Sequence, residues 1–222
     1  MPILTAMAFA ALFLAFPGID LWATGMLYSA EKGFVLIGNP FFDLARSSVE
    51  IIIVTLLLGT LVFWLPQKLK LIPTAWQPKR HAALFILLAV VLGPGLMVNA
   101  VFKDHWGRAR PMQTVQFGGE KQFTPAWVIS DQCEKNCSFV CGDASVGFVL
   151  LAFAFVSRHP RRWLALGLLA GGFYGFMRMG QGGHFLSDVI FSGYTVFFTA
   201  WAIHWLMRRS GYLPPAESTQ SA

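Results

Sequence analysis

Charged residues are scarce in this chain. Asp, Glu, Lys and Arg make up 13% of its 222 residues, whereas 55% are hydrophobic, and the mean hydropathy is +0.57. A soluble core of this length cannot bury so much apolar sequence, but helices of about 20 residues that face lipid can. The composition therefore excludes an ordinary soluble domain and predicts an integral membrane protein.

Cysteine is also scarce, and no continuous basic face is present. Cys133, Cys137 and Cys141 fall within nine residues, which excludes a disulfide framework. Cys133 and Cys137 can form a bridge if their loop is irregular, and two free thiols are the alternative. The formal charge of +6 comes from short basic clusters between apolar runs. These indicate membrane topology and anionic head groups rather than a nucleic-acid partner.

Six apolar runs span or nearly span a bilayer in length. They lie at 3–28, 44–65, 82–102, 139–157, 163–177 and 189–207. The sequence therefore predicts an all-α integral membrane bundle of six helices over residues 1–213, followed by a disordered cytoplasmic tail at 214–222. A signal peptide is the alternative for the first run, although no Lys or Arg precedes it. The fifth run is rich in glycine, which favours close helix packing. Its glycines are Gly167, Gly171, Gly172 and Gly175.

Basic residues alternate between the loops and predict an orientation. They cluster after the second, fourth and sixth runs, at Lys68, Lys70, Lys79 and Arg80, at Arg158, Arg161 and Arg162, and at Arg208 and Arg209. Basic residues near span ends stay preferentially in the cytoplasm, so these loops and both termini are predicted to be cytoplasmic. Segments 29–43, 103–138 and 178–188 then face the non-cytoplasmic side of the membrane.

Three polar clusters share that outer face and indicate one site. Lys103 and Arg110 can neutralise a phosphate, although a snorkelling interfacial cluster is the alternative. Gly142 opens the fourth run, where free N–H groups favour an anion, although ordinary capping is the alternative. His184 and Asp188 are spaced i, i+4, so on a helix the Asp can hold one ring nitrogen while the other attacks. A structural pair and a metal pair are the alternatives, but two ligands are too few for a metal.

Together the clusters resemble a known signature. Lys103, six residues and Arg110-Pro111 are followed by Cys141-Gly142-Asp143, and then by Arg178, five residues, His184, three residues and Asp188. This order resembles the three-part motif of the phosphatidic acid phosphatase type 2 superfamily, and the spacings within the first and third motifs match it fully. The resemblance implies a six-span fold and a phosphohistidine formed on His184, with Asp188 as its orienter. It implies a phosphate cradle of Lys103, Arg110, Cys141, Gly142 and Arg178, and no metal or cofactor.

The second motif departs from the Pro-Ser-Gly-His that is usual in the family. Cys141 offers a weak S–H donor in place of a hydroxyl, so Ser145 or Ser138 would have to supply the missing hydrogen bond. Asp143 replaces the histidine that protonates the leaving oxygen, and an aspartate donates a proton only where its surroundings keep it protonated. Asp143 is one candidate acid, and His105 is another. The third alternative is a leaving group that needs little protonation, such as an anomeric phosphate or a diphosphate.

The predicted function is metal-independent hydrolysis of a phosphate monoester on a membrane lipid. The Gly-Asp-Ala-Ser form of the second motif, the small size and the outward-facing site look most similar to bacterial lipid A phosphatases. The enzymatic alternatives are undecaprenyl diphosphate phosphatase and phosphatidylglycerophosphate or phosphatidate phosphatase. A silent relative that binds a phospholipid without cleaving it is the alternative of another class. The sequence predicts neither the phosphate position nor an oligomeric state.

Overall fold

Helices make up most of this protein, for which a computed structural model describes residues 1–68 and 77–213. In chain order they are α1 (Pro2–Ala15), α2 (Gly18–Gly25), α3 (Pro40–Lys68), α4 (Gln77–Val90), α5 (Lys103–His105), α6 (Gly142–Phe148), α7 (Leu150–Phe153), α8 (Pro160–Gly180) and α9 (Leu186–Arg209). Wider π-type turns at Val91–Phe102 join α4 to α5 in one continuous rod. Strands β1 (Tyr28–Ser29) and β2 (Gly33–Phe34) form an antiparallel hairpin. Two predictions lie outside the described residues: the cytoplasmic placement of Lys70, and the disordered cytoplasmic tail at 214–222.

Within residues 1–68 and 77–213, three helical stretches are long and apolar enough to cross a membrane, namely Pro40–Val62, Arg80–His105 and Leu186–Arg209. The pair α1 and α2 forms a fourth if it counts as one span, although its axes meet at 86°. The predicted fourth span corresponds to Gly142–Phe153, which at 1.5 Å per residue is shorter than the hydrocarbon core of about 30 Å. The mostly helical architecture is therefore confirmed, and length and composition support three or four of the six predicted spans.

A proline breaks the first predicted span. Pro17 has no N–H to donate and its ring disfavours a helical residue before it, so α1 ends at Ala15 and α2 starts at Gly18 in a new direction. The turn brings the fully buried Asp20 of α2 into the interior, against α9. This contact ties the second half of the first apolar run to α9.

Glycines let α8 pack directly on its neighbours. A Cβ atom at Gly167 would lie 2.7 Å from the Leu151 side chain of α7, and Cβ atoms at Gly171 and Gly175 would collide with side chains of α6 and α9. Gly172 is exposed and has no such neighbour within 4 Å. The predicted close packing is therefore confirmed at three positions and wrong at Gly172, because that glycine points away from the bundle.

The segment between α5 and α6 is tied to one end of the bundle. The Ser138 N–H donates to the carbonyl oxygen of Arg108 at 2.9 Å, and the Cys141 N–H donates to that of Asp188 in α9 at 3.1 Å. Cys133 and Cys137 are joined in a disulfide, with their Cα atoms 5.7 Å apart. The segment therefore carries its polar side chains to the starts of α6 and α9.

Aromatic rings hold the same segment against the helices. The Trp127 ring lies edge-on to Phe139 and to Phe191 of α9, with centroids 5.1 and 5.0 Å apart. The ring centroids of Trp106 and Phe139 lie 5.2 Å apart. Each such pair contributes about 0.5–1.5 kcal/mol beyond area burial, so this packing fixes the loop that carries the polar groups.

Candidate active site

His184 is the buried centre of the site, with a side chain 1% exposed. It lies in the turn before α9 and not on a helix, so the predicted pairing with Asp188 on one helical face is wrong. Its Nδ1 lies 2.7 Å from the carbonyl oxygen of Ser138, whereas the nearer Asp188 oxygen is 3.6 Å away. His184 contacts Ser138 rather than Asp188 because helix α9 begins only at Leu186, so His184 can turn toward the loop.

The environment of His184 fixes both its charge and its tautomer. Burial lowers its pKa to about 4, outweighing the effect of the nearby Asp188, which raises it, so the ring is neutral at pH 7. A carbonyl oxygen accepts and never donates, so Nδ1 carries the proton toward Ser138. The lone pair is therefore on Nε2, which is the atom able to attack an electrophile.

Asp188 is held from three sides. Its Oδ2 accepts from the Ser138 hydroxyl at 2.5 Å and from the Phe185 N–H at 2.8 Å, and its Oδ1 accepts from Arg108 Nη1 at 2.6 Å. Ser138 thus touches both members of the pair, giving its carbonyl to His184 and its hydroxyl to Asp188. The carboxylate positions the ring through Ser138 and through charge, because 3.6 Å is too long for a hydrogen bond.

Basic side chains converge beside this pair. Lys103 Nζ donates to the side-chain oxygen of Asn136 at 3.1 Å, and Arg110 Nη2 donates to the backbone oxygen of the same residue at 2.8 Å. Burial, followed by the charge of Arg178, lowers the pKa of Arg110, as expected for like charges held together. The arrangement gathers all three predicted phosphate-binding cations at one end of the bundle.

Asp143 forms an ion pair with one of these cations. Its Oδ2 lies 2.7 Å from Arg178 Nε, at an angle outside hydrogen-bond geometry, and the two side chains are 25% and 6% exposed. His105, the other candidate acid, is exposed, and its Nδ1 lies 3.1 Å from the carbonyl oxygen of Val101 on its own helical rod. Of the two candidates, the structure therefore brings Asp143 to the predicted cradle.

Gly142 leaves room for the cations at the start of α6. A Cβ atom there would lie 2.8 Å from Lys103 Nζ, so a larger residue would displace the ammonium group. Cys141 precedes it with a buried thiol. The hydroxyl of Ser145 donates to the Gly142 carbonyl at 2.5 Å, and that of Ser138 donates to the site carboxylate. In this arrangement both hydroxyl hydrogens are therefore already engaged, and neither is free to replace that of the family's serine.

A buried ionic network behind Asp188 was not predicted. Arg108 lies between Asp20 and Asp188, and all three side chains are fully buried. The signal for Asp20 was in the sequence, because a lone acid inside an apolar run usually marks a functional site. Arg108 falls in the variable interval of the first motif, so motif spacing did not mark it. Over residues 1–68 and 77–213, no three His, Cys, Asp or Glu side chains are grouped to hold a metal.

A cavity of about 300 Å³ opens beside Lys103. Its lining residues are Gly95, Asn99, Ala100, Lys103, Asp104 and Asn136. Amide and carboxylate groups line the part next to the cations, and small residues line the part along the helical rod. A larger cavity, of about 520 Å³, lies around Trp201 and Arg209 in the last turns of α9, away from the polar groups at its start.

Comparison with known proteins places this site in context. The profile of the PAP2 superfamily matches residues 82–212. The chain is 43% identical over 208 residues to a protein named Lipid A 4′-phosphatase from Francisella tularensis subsp. novicida, an alignment that covers 89% of this chain and 90% of that protein. Proteins of the same name from Rhizobium leguminosarum and Rhizobium etli are each 34% identical, with 82% of this chain covered and 84% and 76% of theirs. No solved structure matches the chain significantly.

Proposed function

The chain belongs to the PAP2 superfamily, and from this premise we propose that it is a membrane lipid phosphatase that removes the 4′-phosphate of lipid A. One observation carries the proposal: a buried, neutral His184 lies beside three converging cations at one end of an apolar helical bundle. A neutral imidazole is a nucleophile, and the cations complement a phosphate. The position on the lipid comes from the names of the three relatives.

In the proposed reaction, His184 Nε2 attacks the phosphorus atom. The new N–P bond forms as the P–O bond to the sugar breaks, and the departing oxygen takes up a proton. Water then cleaves the phosphohistidine and releases inorganic phosphate, which frees the imidazole for another turnover. Lys103, Arg110 and Arg178 stabilise the charge on the phosphoryl oxygens, and the free N–H groups at Gly142 add to this effect.

The proton for the leaving oxygen comes from Asp143 in this proposal. A 4′-phosphate is an ester of an ordinary sugar hydroxyl, so its alkoxide needs a proton, unlike an anomeric phosphate or a diphosphate. An arriving phosphate dianion competes with Asp143 for Arg178 and places negative charge beside the carboxylate. Displaced from Arg178, the carboxyl group can carry a proton from water to the leaving oxygen.

We further propose six membrane crossings, with the site at the periplasmic face of the bacterial inner membrane. The support lies in the two ends of α8 and α9. Arg178 and Asp188 mark the ends that form the site, whereas Arg161 and Arg209 mark the opposite ends. Basic residues stay preferentially in the cytoplasm, so the site and the disulfide loop face outward and both termini face inward.

The head group next to the phosphate fits the cavity beside Lys103. That cavity combines hydrogen-bonding groups on Asn99 and Asn136 with the small residues Gly95 and Ala100. A glucosamine unit with its amide-linked chain needs polar partners on one side and space along the apolar helix on the other. Lipid can therefore remain in the bilayer while the phosphate reaches His184.

Phosphate release from defined lipids tests this proposal. Purified protein in lipid nanodiscs is offered 4′-phosphorylated lipid A, its 1-phosphorylated isomer, undecaprenyl diphosphate, phosphatidylglycerophosphate and phosphatidate. We expect the 4′-ester to be hydrolysed with the highest kcat/KM and the His184→Ala variant to be inactive. Preference for a diphosphate or a glycerophospholipid would refute the substrate. Binding of lipid A with no phosphate released from any lipid would show a silent relative.

A further inference from the structure

Three buried charged side chains form a chain of contacts behind the proposed catalytic pair. Arg108 Nη1 donates to Asp188 Oδ1 at 2.6 Å, and Arg108 Nη2 donates to Asp20 Oδ2 at 2.8 Å. Ser187 joins the carboxylates to the arginine, since its hydroxyl donates to Asp20 at 2.6 Å and accepts from Arg108 at 2.9 Å. The network links α2, the outer segment and α9, although its acids are far apart in the sequence.

We propose that Asp20 and Arg108 are positioning residues that act on His184 through Asp188, an inference that rests on the proposed function. Arg108 holds one oxygen of Asp188, while Ser138 and the Phe185 N–H hold the other. A planar guanidinium that donates along two edges fixes the plane of the carboxylate, which a point charge such as a lysine does not do. Rotation of Asp188 away from His184 is therefore blocked.

Arg108 cancels the negative charge of Asp188, and Asp20 adds a second negative charge to the network. An arginine bound to Asp188 alone would leave a neutral pair behind His184. The Asp20 oxygens accept from three donors, as those of an ionised carboxylate do, so the fully buried network of one arginine and two carboxylates carries a net charge of −1. When Nε2 bonds to phosphorus, the imidazole gains positive charge, and a net negative neighbour stabilises that state more than a neutral pair does.

The local backbone is built to place these two residues. The break at Pro17 turns α2 so that Asp20 Oδ1 accepts from the Ser187 N–H, in the first turn of α9, at 2.8 Å. Gly107 has a φ of +67°, and a Cβ atom there would collide with the carbonyl oxygen of Ser130. Glycine at this turn is what directs the next residue, Arg108, into the interior. Cation–π contact with Phe185, 4.4 Å from the guanidinium carbon, completes its surroundings.

Steady-state kinetics of Asp20→Asn in the full-length protein tests the inference. Asn keeps the size of the side chain but removes its charge and one of its acceptor oxygens, so we expect kcat to fall roughly 10- to 100-fold, the usual effect of a partner that orients a catalytic group, with KM within about threefold of wild type. Arg108→Lys should lower kcat similarly.

The matched controls are Asp131→Asn and Arg162→Lys. Both residues are exposed, and we expect neither change to alter kcat or KM. A structural role would instead lower the amount of folded protein or raise KM.

A double variant shows whether the effect passes through Asp188. Adding Asp20→Asn to Asp188→Asn should cost less than threefold more, because the carboxylate that Asp20 supports is already gone. If the kcat of the double variant falls by the product of the two single losses, the inference is overturned. An Asp20→Asn enzyme with wild-type kcat would also overturn it.

If Asp20→Asn fails to fold, Ser187→Ala decides instead, since it removes one bridging hydroxyl and keeps all charges. We expect about a fivefold lower kcat there, the size of one hydrogen bond, and unchanged kcat would overturn the inference. A wild-type protein with no phosphatase activity would overturn the proposed function as well, whereas active variants refute this inference alone.

Discussion

Replacement of Asp143 by Asn separates the two roles that the carboxylate can play. The change keeps the shape of the side chain and removes both its charge and its ability to act as an acid. If Asp143 protonates the leaving oxygen, kcat should fall on substrates whose leaving group needs a proton. If it only balances the charge of Arg178, 2.7 Å away, the change should affect phosphate binding and leave kcat intact.

The structure sets the size of each effect. General acids usually contribute 10²- to 10⁴-fold, and we expect about 10²-fold, the lower end, because Asp143 is 25% exposed and water can serve as a poorer donor. The ion pair with Arg178 is partly exposed and worth about 1 kcal/mol. Asn frees that guanidinium for the phosphate, so KM should fall by up to about fivefold while kcat falls.

Two substrates with different leaving groups provide the assay. The 4′-phosphate of lipid A leaves as an alkoxide, whereas p-nitrophenyl phosphate leaves as a stable phenolate that departs without a proton. We expect about a 10²-fold loss in kcat for Asp143→Asn on the lipid and less than about fivefold on the aryl ester. Asp131→Asn, an exposed residue of the outer segment, is the matched control on both substrates.

Equal losses on the two substrates would refute proton donation and assign Asp143 to phosphate binding. Full activity on the lipid would show that another group is the acid, and His105→Gln would then be the variant to measure. Gain of activity toward simple alkyl phosphates in Asp143→His would support the view that this position holds the acid, because that change restores the usual residue of the family.

Four further predictions follow from the site. His184→Ala should abolish turnover while the protein stays folded in the membrane, because the change removes the proposed nucleophile; activity within tenfold of wild type would refute the mechanism. Chelation by EDTA should leave phosphate release unchanged, since the cationic side chains already supply positive charge, and loss with recovery on adding a divalent ion would contradict this. A cysteine introduced at Gln116 should react with an impermeant maleimide from the periplasmic side, and one introduced at Arg162 from the cytoplasmic side. The background should be low, because Cys141 is buried and Cys133 and Cys137 are joined in a disulfide. Labelling of both positions from the same side would refute the topology. Because the pKa of His184 is about 4 in the folded protein and about 6.5 when unfolded, the unfolded state binds more protons between these values. The thermal stability should therefore fall as pH drops from about 6.5 to about 4, with a smaller fall in His184→Ala, and kcat/KM should decline below about pH 5.

Sequence patterns predicted the helices and the three clusters of the site because both depend on local spacing. Apolar runs of about 20 residues mark helices directly, and the motif residues lie at the ends of those runs. Lys103, Arg110 and Arg178 meet at one end of the bundle, as clusters at neighbouring ends of such runs can. Pro17 marks a break in the first run, but a proline alone does not predict the angle of 86° at which α1 and α2 meet.

The contacts that orient His184 were not predictable in the same way. The i, i+4 rule assumes a helix, and α9 begins two residues after His184, so Ser138 takes the place expected for Asp188. Asp20 reaches the site across 167 residues of sequence, and no periodicity links positions that distant. Single-residue signals, such as an acid in an apolar run, can mark such a residue but cannot name its partner.

Charge is distributed about His184 in a way that makes a buried nucleophile workable. In the proposed reaction Lys103, Arg110 and Arg178 bind the phosphate on one side of the ring, and the network that ends in Asp20 lies behind Asp188. In the resting state the imidazole between them is neutral, so its burial incurs no cost for an isolated charge. During attack, negative charge gathers on the phosphoryl oxygens toward the cations, and positive charge gathers on the ring toward the carboxylates. Each charge thus develops beside fixed groups of opposite sign, and little reorganisation is needed in a medium of low dielectric constant.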